Sequence, residues 1–261
     1  MKYYIVNAFT RSDEGGNPAA VCLPEEPVAD KSMQEIAAEF GLSETAFVEK
    51  KHGFYGLRWF TPEIEVDLCG HATLAAASVL WEQSIAYSES LIEFETKSGM
   101  LSAMKKDGLI LMDFPMEAAV PSECPQELVN ALGVEPIYTG RNRFDYIIEL
   151  KSENVLRKIS PDYDLLSKVE TRGVIVTSHS ESNNFDFVSR FFAPRAGIPE
   201  DPVTGSAHCC LAPYWSGKLN KKSMTGFQAS ERGGTVHVEL KENRVLLGGE
   251  AVTLSSGKLM D

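Results

Sequence analysis

The sequence predicts an α+β protein of two pseudo-symmetric halves, each a curled mixed sheet or barrel around a central helix. Three observations predict it: a motif that recurs at half the chain length, a helix of small apolar residues after each copy, and flanking segments that alternate like strands. One copy reads Arg58-Trp59-Phe60-Thr61-Pro62, then Asp67-Leu68-Cys69-Gly70-His71-Ala72. The other reads Arg190-Phe191-Phe192-Ala193-Pro194, then Asp201-Pro202-Val203-Thr204-Gly205-Ser206-Ala207. The plan is shared: Arg, aromatic, Phe, any residue, Pro, a short loop, Asp, then Gly, a polar residue and Ala. The offsets, 190 − 58 = 132 and 205 − 70 = 135, are each about half of 261 residues, and the second loop is slightly longer. Halves of 1–115 and 116–261 follow, with the last strand, about 250–261, a candidate to pack back on the first.

Taken in order, Tyr3–Val6, Ala19–Leu23 and Thr45–Val48 read as strands. Met33, Ile36, Ala37 and Phe40 fall at helical spacing, with Gly41 as the stop. Arg58–Phe60 is a short aromatic strand stopped by Pro62. Ala72–Trp81 is small and apolar almost all round, which predicts a buried helix. Leu91–Glu95 and Leu109–Phe114 are strand-like, and Pro115 to Pro125 reads as the crossing between halves. Beyond it, Tyr146–Ile148, Val174–Val176, Asp186–Phe192, Thr235–Val238 and Val245–Leu247 are strand-like. Ala207–Trp215 predicts a shorter helix, bent or ended near Pro213. A weaker echo sets Glu44–Val48 beside Arg172–Val176, so that Arg172 is the repeat partner of Glu44.

Composition narrows the function classes. The net charge of −12 argues against a nucleic-acid partner, while leaving room for a locally positive site that takes an anionic metabolite. No segment approaches 18 continuous apolar residues, which argues against a membrane span. Five cysteines (22, 69, 124, 209 and 210) in no disulfide-framework spacing, behind an N-terminus without a signal-peptide core, give reduced thiols and a cytoplasmic expectation.

A helix N-terminus offers free backbone N–H groups and partial positive charge, and glycine there lets a ligand come close. Gly70-His71 and Gly205-Ser206 are two such starts. Facing each other across the halves they would form an anion-binding cleft suited to a carboxylate. Neither loop matches a phosphate-binding glycine pattern.

Four motifs in order, Asn17-Pro18-Ala19-Ala20-Val21, Ser43-Glu44-Thr45-Ala46-Phe47, Asp67-Leu68-Cys69-Gly70-His71-Ala72-Thr73 and Glu200-Asp201-Pro202-Val203-Thr204-Gly205-Ser206-Ala207, closely resemble the PhzF-like, phenazine-biosynthesis-like proteins. The match runs from Met1 to about Gly234, with Gln228 to Gly234 as a further similar segment. The resemblance implies the diaminopimelate-epimerase fold, a homodimer and no cofactor. It implies that a glutamate, here Glu44, moves a proton within a dihydro-hydroxyanthranilate-like ring, assisted by His71, Asp201 and Ser206. Gly70, Gly205, Cys69 and Thr204 join Ser206 as expected substrate contacts.

The residue chemistry is compatible with this. Moving a proton between two carbons needs a group that takes it and returns it, and a carboxylate in a partly dry site does both. Taken singly, each residue also has a plainer reading: Glu44 as a solvated carboxylate at a turn, His71 as a cap-like hydrogen bonder, Asp201 as a brace for the turn at Pro202, and Ser206 as a helix cap. Two-thiol amino-acid epimerases or racemases are disfavoured, because Cys69 precedes Gly70 but Thr204 precedes Gly205, and a threonine is a poor base. Cys69 then reads as buried packing. Cys69-x-His71 and His208-Cys209-Cys210 lack zinc-site spacing, and no Gly-x-Ser-x-Gly elbow supports a serine hydrolase. A non-catalytic small-molecule-binding protein on the same scaffold is the reading from another class.

Overall fold

The computed structural model describes residues 1–87 and 90–259, so the last two positions of the expected final strand, 260–261, lie outside the described residues. Internal contacts divide the chain into two units, residues 1–114 with 246–261, and residues 115–245.

The first unit runs β1 (Lys2–Ala8), β2 (Asn17–Leu23), α1 (Asp30–Phe40), β3 (Glu44–Lys50), β4 (Tyr55–Phe60), β5 (Glu65–Val66), α2 (Gly70–Glu82), β6 (Ile92–Thr96), β7 (Gly99–Lys106) and β8 (Leu109–Pro115). The second runs β9 (Val120–Pro121), α3 (Gln126–Leu132), β10 (Tyr138–Arg141), β11 (Asp145–Glu149), α4 (Glu153–Lys158), α5 (Tyr163–Leu166), β12 (Gly173–His179), β13 (Phe187–Ala193), β14 (Ile198–Asp201), α6 (Gly205–Leu219), β15 (Ser223–Gln228) and β16 (Gly234–Lys241). β17 (Arg244–Gly249) carries the chain back, and β18 (Ala251–Lys258) pairs antiparallel with β1.

Both units use one pairing pattern. From β1 through β2, β3, β4 and β6 to β7 the pairs run antiparallel, parallel, antiparallel, parallel, antiparallel. The same order runs from β10 through β11, β12, β13 and β15 to β16. Mixed sheets with few helices make this an α+β fold.

In the first unit α2 packs against β1, β2, β3 and β18, and its residues from Gly70 to Trp81 are all buried. Wrapping on every side suits a helix with no polar stripe. The α1 side chains Met33 and Ala37 pack with Cys22, Phe47 and Phe60 on the other face of the strands. Gly41 ends α1 in the left-handed conformation, φ 60°, where its N–H reaches Ala37 O at 3.2 Å.

In the second unit strand alternation splits the residues in the same way. Val174, Val176, Val188 and Phe192 face a core shared with α3, α4 and α5. Thr177 and Phe187 face α6: Trp215 Nε1 donates to Thr177 Oγ1 at 2.9 Å, and its ring stacks on Phe187 with centroids 5.9 Å apart.

The structure corrects the sequence reading in three places. α6 does not stop at Pro213 but continues to Leu219. A helix proline frees the carbonyl four residues back, here Cys209 O, and the Glu117 backbone N–H takes that carbonyl at 3.1 Å. The helices α3, α4 and α5, of seven, six and four residues, lie in segments to which no helix had been assigned, since so few turns carry little periodicity. The repeat register also moves. Phe47 lies opposite Arg58 and Val176 opposite Arg190, so Glu44 corresponds to Gly173 and Arg172 to Ser43. Val66 pairs with Trp59 and Asp201 with Phe191, so the counterpart of Asp201 is Val66, not Asp67.

Candidate active site

In the first unit three elements bring polar groups to the start of α2. Glu44 is the first residue of β3, Cys69 is the N-cap of α2, and Gly70 and His71 are its first two helical residues. Asn17 is the first residue of β2 and is fully buried. It follows Gly16, whose φ of 72° and closeness to Ala8 O, 2.3 Å from where a Cβ would sit, leave room for glycine alone.

His71 is the hub. Its Nε2 lies 3.1 Å from Glu44 Oε2. Its Nδ1 lies 3.2 Å from Asn17 Nδ2 and 3.5 Å from Cys69 Sγ. The Glu44–His71 contact is close but bent: both atoms are buried, and neither has a well-directed hydrogen bond among the described residues. Burial opposes a charged imidazole here, but the neighbouring Cys69 sulfur and the Glu44 carboxylate outweigh it and hold the His71 pKa well above the usual histidine range. Burial, helped by the Glu44 charge, pushes the Cys69 thiol up.

Glu44, Cys69 and His71 each offer a ligand atom within 4.8 Å of the others, which the wide sequence separation of Glu44 had hidden. Glu44 lies nearest one ring nitrogen and the thiol nearest the other, and carboxylate and sulfur are also close to each other, so the three form a compact cluster.

In the second unit Asp201 ends β14, Thr204 is the N-cap of α6, and Gly205 and Ser206 open the helix. The Thr204 hydroxyl donates to the Asp201 carboxylate. Gln228, fully buried at the end of β15, ties both down. Its Oε1 accepts from Thr204 N at 2.9 Å and its Nε2 donates to Asp201 O at 2.7 Å. Ser206 lies inside the first turn rather than at the cap, and its Oγ accepts from Arg172 at 3.2 Å. Arg172 is also paired with the buried Asp145. In neither α2 nor α6 does the N-cap side chain cap the helix, so the first-turn N–H groups are not taken by the cap. Among the described residues no helix is long and apolar enough to cross a membrane.

Function had been assigned to neither Asn17, Gln228 nor Arg172. Asn17 and Gln228 stood in segments that resemble the PhzF-like proteins and Arg172 in the internal repeat, which was the available signal.

The family model for phenazine biosynthesis-like protein, PhzC-PhzF, matches residues 6–257. An uncharacterised isomerase of Halalkalibacterium halodurans is 51% identical over 258 residues, 98% of this chain and 97% of that protein. One from Pseudomonas aeruginosa is 45% identical over 261 residues, covering 99% and 98%. Among solved structures, the PhzF-family protein of Enterococcus faecalis superposes with a TM-score of 0.95 at 43% identity, covering 99% of this chain and 98% of that one. A probable proline racemase of Agrobacterium radiobacter, TM-score 0.67 at 10% identity, covers 99% and 92% and shares the fold. With the motifs, the doubled topology and these similarities together, the chain belongs to the PhzC-PhzF, phenazine biosynthesis-like family, and it is an enzyme of the isomerase class.

Proposed function

We propose that this enzyme moves a proton between two carbons of a small, carboxylated, dihydro-hydroxyanthranilate-like metabolite, without a cofactor, with Glu44 as the group that takes the proton and returns it. One observation carries the reading. Glu44 Oε2 and His71 Nε2, both buried and 3.1 Å apart, lack a well-directed hydrogen bond among the described residues. Buried polar atoms left unsatisfied in this way call for an explanation, and proton transfer supplies one.

Glu44 takes a proton from a carbon made acidic by a neighbouring unsaturated group, and the electron pair moves into that system. Glu44 then returns the proton to another carbon of the same system, so substrate and product differ only in the position of a hydrogen and the double bonds. His71, 3.1 Å away at Nε2, shares the proton with Glu44. Gly70, Cys69 and the first turn of α2 bind the anion. Asp201, Thr204, Gly205 and Ser206 hold its polar substituents, and family resemblance is what joins them to this reaction. The same resemblance supports a homodimer, and the cysteine pattern a cytosolic location.

The test is proton exchange in D₂O with a panel of cyclic amino and hydroxy acids, read by mass spectrometry, with Glu44→Gln beside the wild type. Deuterium gain lost in the variant supports the reading. Gain that survives Glu44→Gln sinks it and directs attention to Cys69.

A further inference from the structure

Asn17 shares no part in the chemistry proposed above, yet it is fully buried and its amide nitrogen faces His71 Nδ1 at 3.2 Å. An amide nitrogen only donates, so the imidazole nitrogen that receives it must be the one without a proton. The remaining proton of a neutral ring then sits on Nε2, the nitrogen 3.1 Å from Glu44 Oε2. Cys69 Sγ, 3.5 Å from the same Nδ1, acts in the same sense when its S–H donates there, and a thiol sulfur is only a weak acceptor for a competing Nδ1–H. The tight turn at Gly16 fixes where Asn17 begins β2, and β2 runs parallel to β3, with Ala19 opposite Glu44. Backbone geometry thus sets Asn17 and Glu44 on the two edges of one ring.

We propose that Asn17 is a positioning residue that fixes neutral His71 as the Nε2–H tautomer and so turns the ring's single proton toward Glu44. Which nitrogen of a histidine carries the proton is set by what the other nitrogen meets. Without Asn17, a neutral ring could carry its proton on Nδ1, facing the Cys69 sulfur. Its bare Nε2 would then face the Glu44 carboxylate, two acceptors with no proton between them. The titratable groups acting on the ring are Cys69 at the N-cap of α2 and Glu44 on β3. The catalytic meaning of this rests on the proposed function; the tautomer does not.

The experiment is long-range ¹H–¹⁵N NMR of the histidine rings in the full-length protein across pH, with His71→Gln identifying the signals among five histidines. Once the ring is neutral, Nδ1 is expected at the unprotonated position and Nε2 at the protonated one. Asn17→Asp keeps the shape but offers only acceptors. It should protonate Nδ1 and hold His71 doubly protonated to a pH higher by about one unit or more. In the deuterium-exchange assay it should lower kcat by about 10- to 100-fold, with KM little changed. A wild-type ring that carries its proton on Nδ1 overturns the proposal, even if the variant fails to fold. So does an Asn17→Asp protein whose thermal melt is intact and whose ring nitrogens are unmoved. If the tautomer moves as expected and exchange is untouched, Asn17 still positions the ring, and it is the Glu44–His71 chemistry that falls.

Discussion

Arg58 in β4 and Arg190 in β13 occupy one position in two units and do one job. Each forks onto a glutamate, Arg58 onto Glu65 and Arg190 onto Glu200, at 2.7 and 2.8 Å in both cases. Each also lies over a phenylalanine two residues on, Phe60 at 5.2 Å and Phe192 at 4.9 Å. Five residues past each glutamate a glycine opens the central helix, and there the units part. The first has Cys69 and His71 where the second has Thr204 and Ser206, and Glu44 where the second has Gly173. The scaffold doubles, while the carboxylate, imidazole and thiol of Glu44, His71 and Cys69 cluster in one unit only. What repeats is what a curled sheet needs to hold its helix. What differs is what the proposed reaction would need, since one base that takes and returns a proton has no use for a twin.

The sharpest way to break this contrast is through activity. Glu44→Gln should lower proton exchange by about 10²- to 10⁴-fold. Ser206→Ala, in the other unit, should cost about fivefold, the worth of one hydrogen bond. Equal losses, measured as kcat/KM, would mean that the chemistry is two-sided.

The shared clamps differ in depth. The Arg190 side chain is 11% exposed and that of Arg58 30%, and Arg190 Nη1 also donates to Ile159 O at 2.6 Å. Arg190→Ala should destabilise the protein by about 3 kcal/mol or more, because it removes a buried guanidinium and leaves the Ile159 carbonyl and the Glu200 carboxylate without their donor. Arg58→Ala should cost about 1 kcal/mol. Urea unfolding midpoints would show the order, and a reversed order would undo the argument from burial.

The buried histidines should respond to pH in opposite directions. His208 Nδ1 lies 2.8 Å from Thr204 O, and burial lowers its pKa to about 4. Below about pH 6.5 the unfolded chain binds a proton that the folded chain refuses. Stability should therefore fall by about 3 kcal/mol between about pH 6.5 and 4. His71 has its folded pKa above the unfolded one. Its contribution is complete below about pH 6.5 and is lost as pH rises through the folded value. His208→Thr, which installs the residue type found at Thr73, should flatten the acid limb of stability against pH, and His71→Gln the opposite limb. An unchanged acid slope in His208→Thr would remove His208 from the account.

Much of the fold was legible because the chain states it twice. Arg58-Trp59-Phe60 and Arg190-Phe191-Phe192 fixed the plan, and the run of small residues after Gly70 fixed a helix buried on all sides. The register was less legible. Asp67 and Asp201 look equivalent in a string, but strand pairing sets Asp201 against Val66, since the three extra residues of the second loop fall before Glu200. β7 and β15 went unread because their alternation is weak, Met100 and Met104 being exposed and Gly226 interrupting the other. At the candidate site, Glu44 and His71 stood out by residue type and motif. The part of Asn17 did not, because a hydrogen bond spanning 54 positions exists only once β2 and α2 are packed.

The Glu117 amide that meets Cys209 O sets a lower limit on how small a working piece of the second unit can be. A fragment beginning at α3 would keep Pro213 and lose the Glu117 amide that answers the carbonyl it exposes, so α6 should fray at its midpoint. A fragment beginning at Pro115 would not. In native-state hydrogen exchange, the Glu117 amide, though it belongs to neither helix nor strand, should exchange as slowly as the interior of α6. Fast exchange at Glu117 beside a protected helix would show that α6 stands without it.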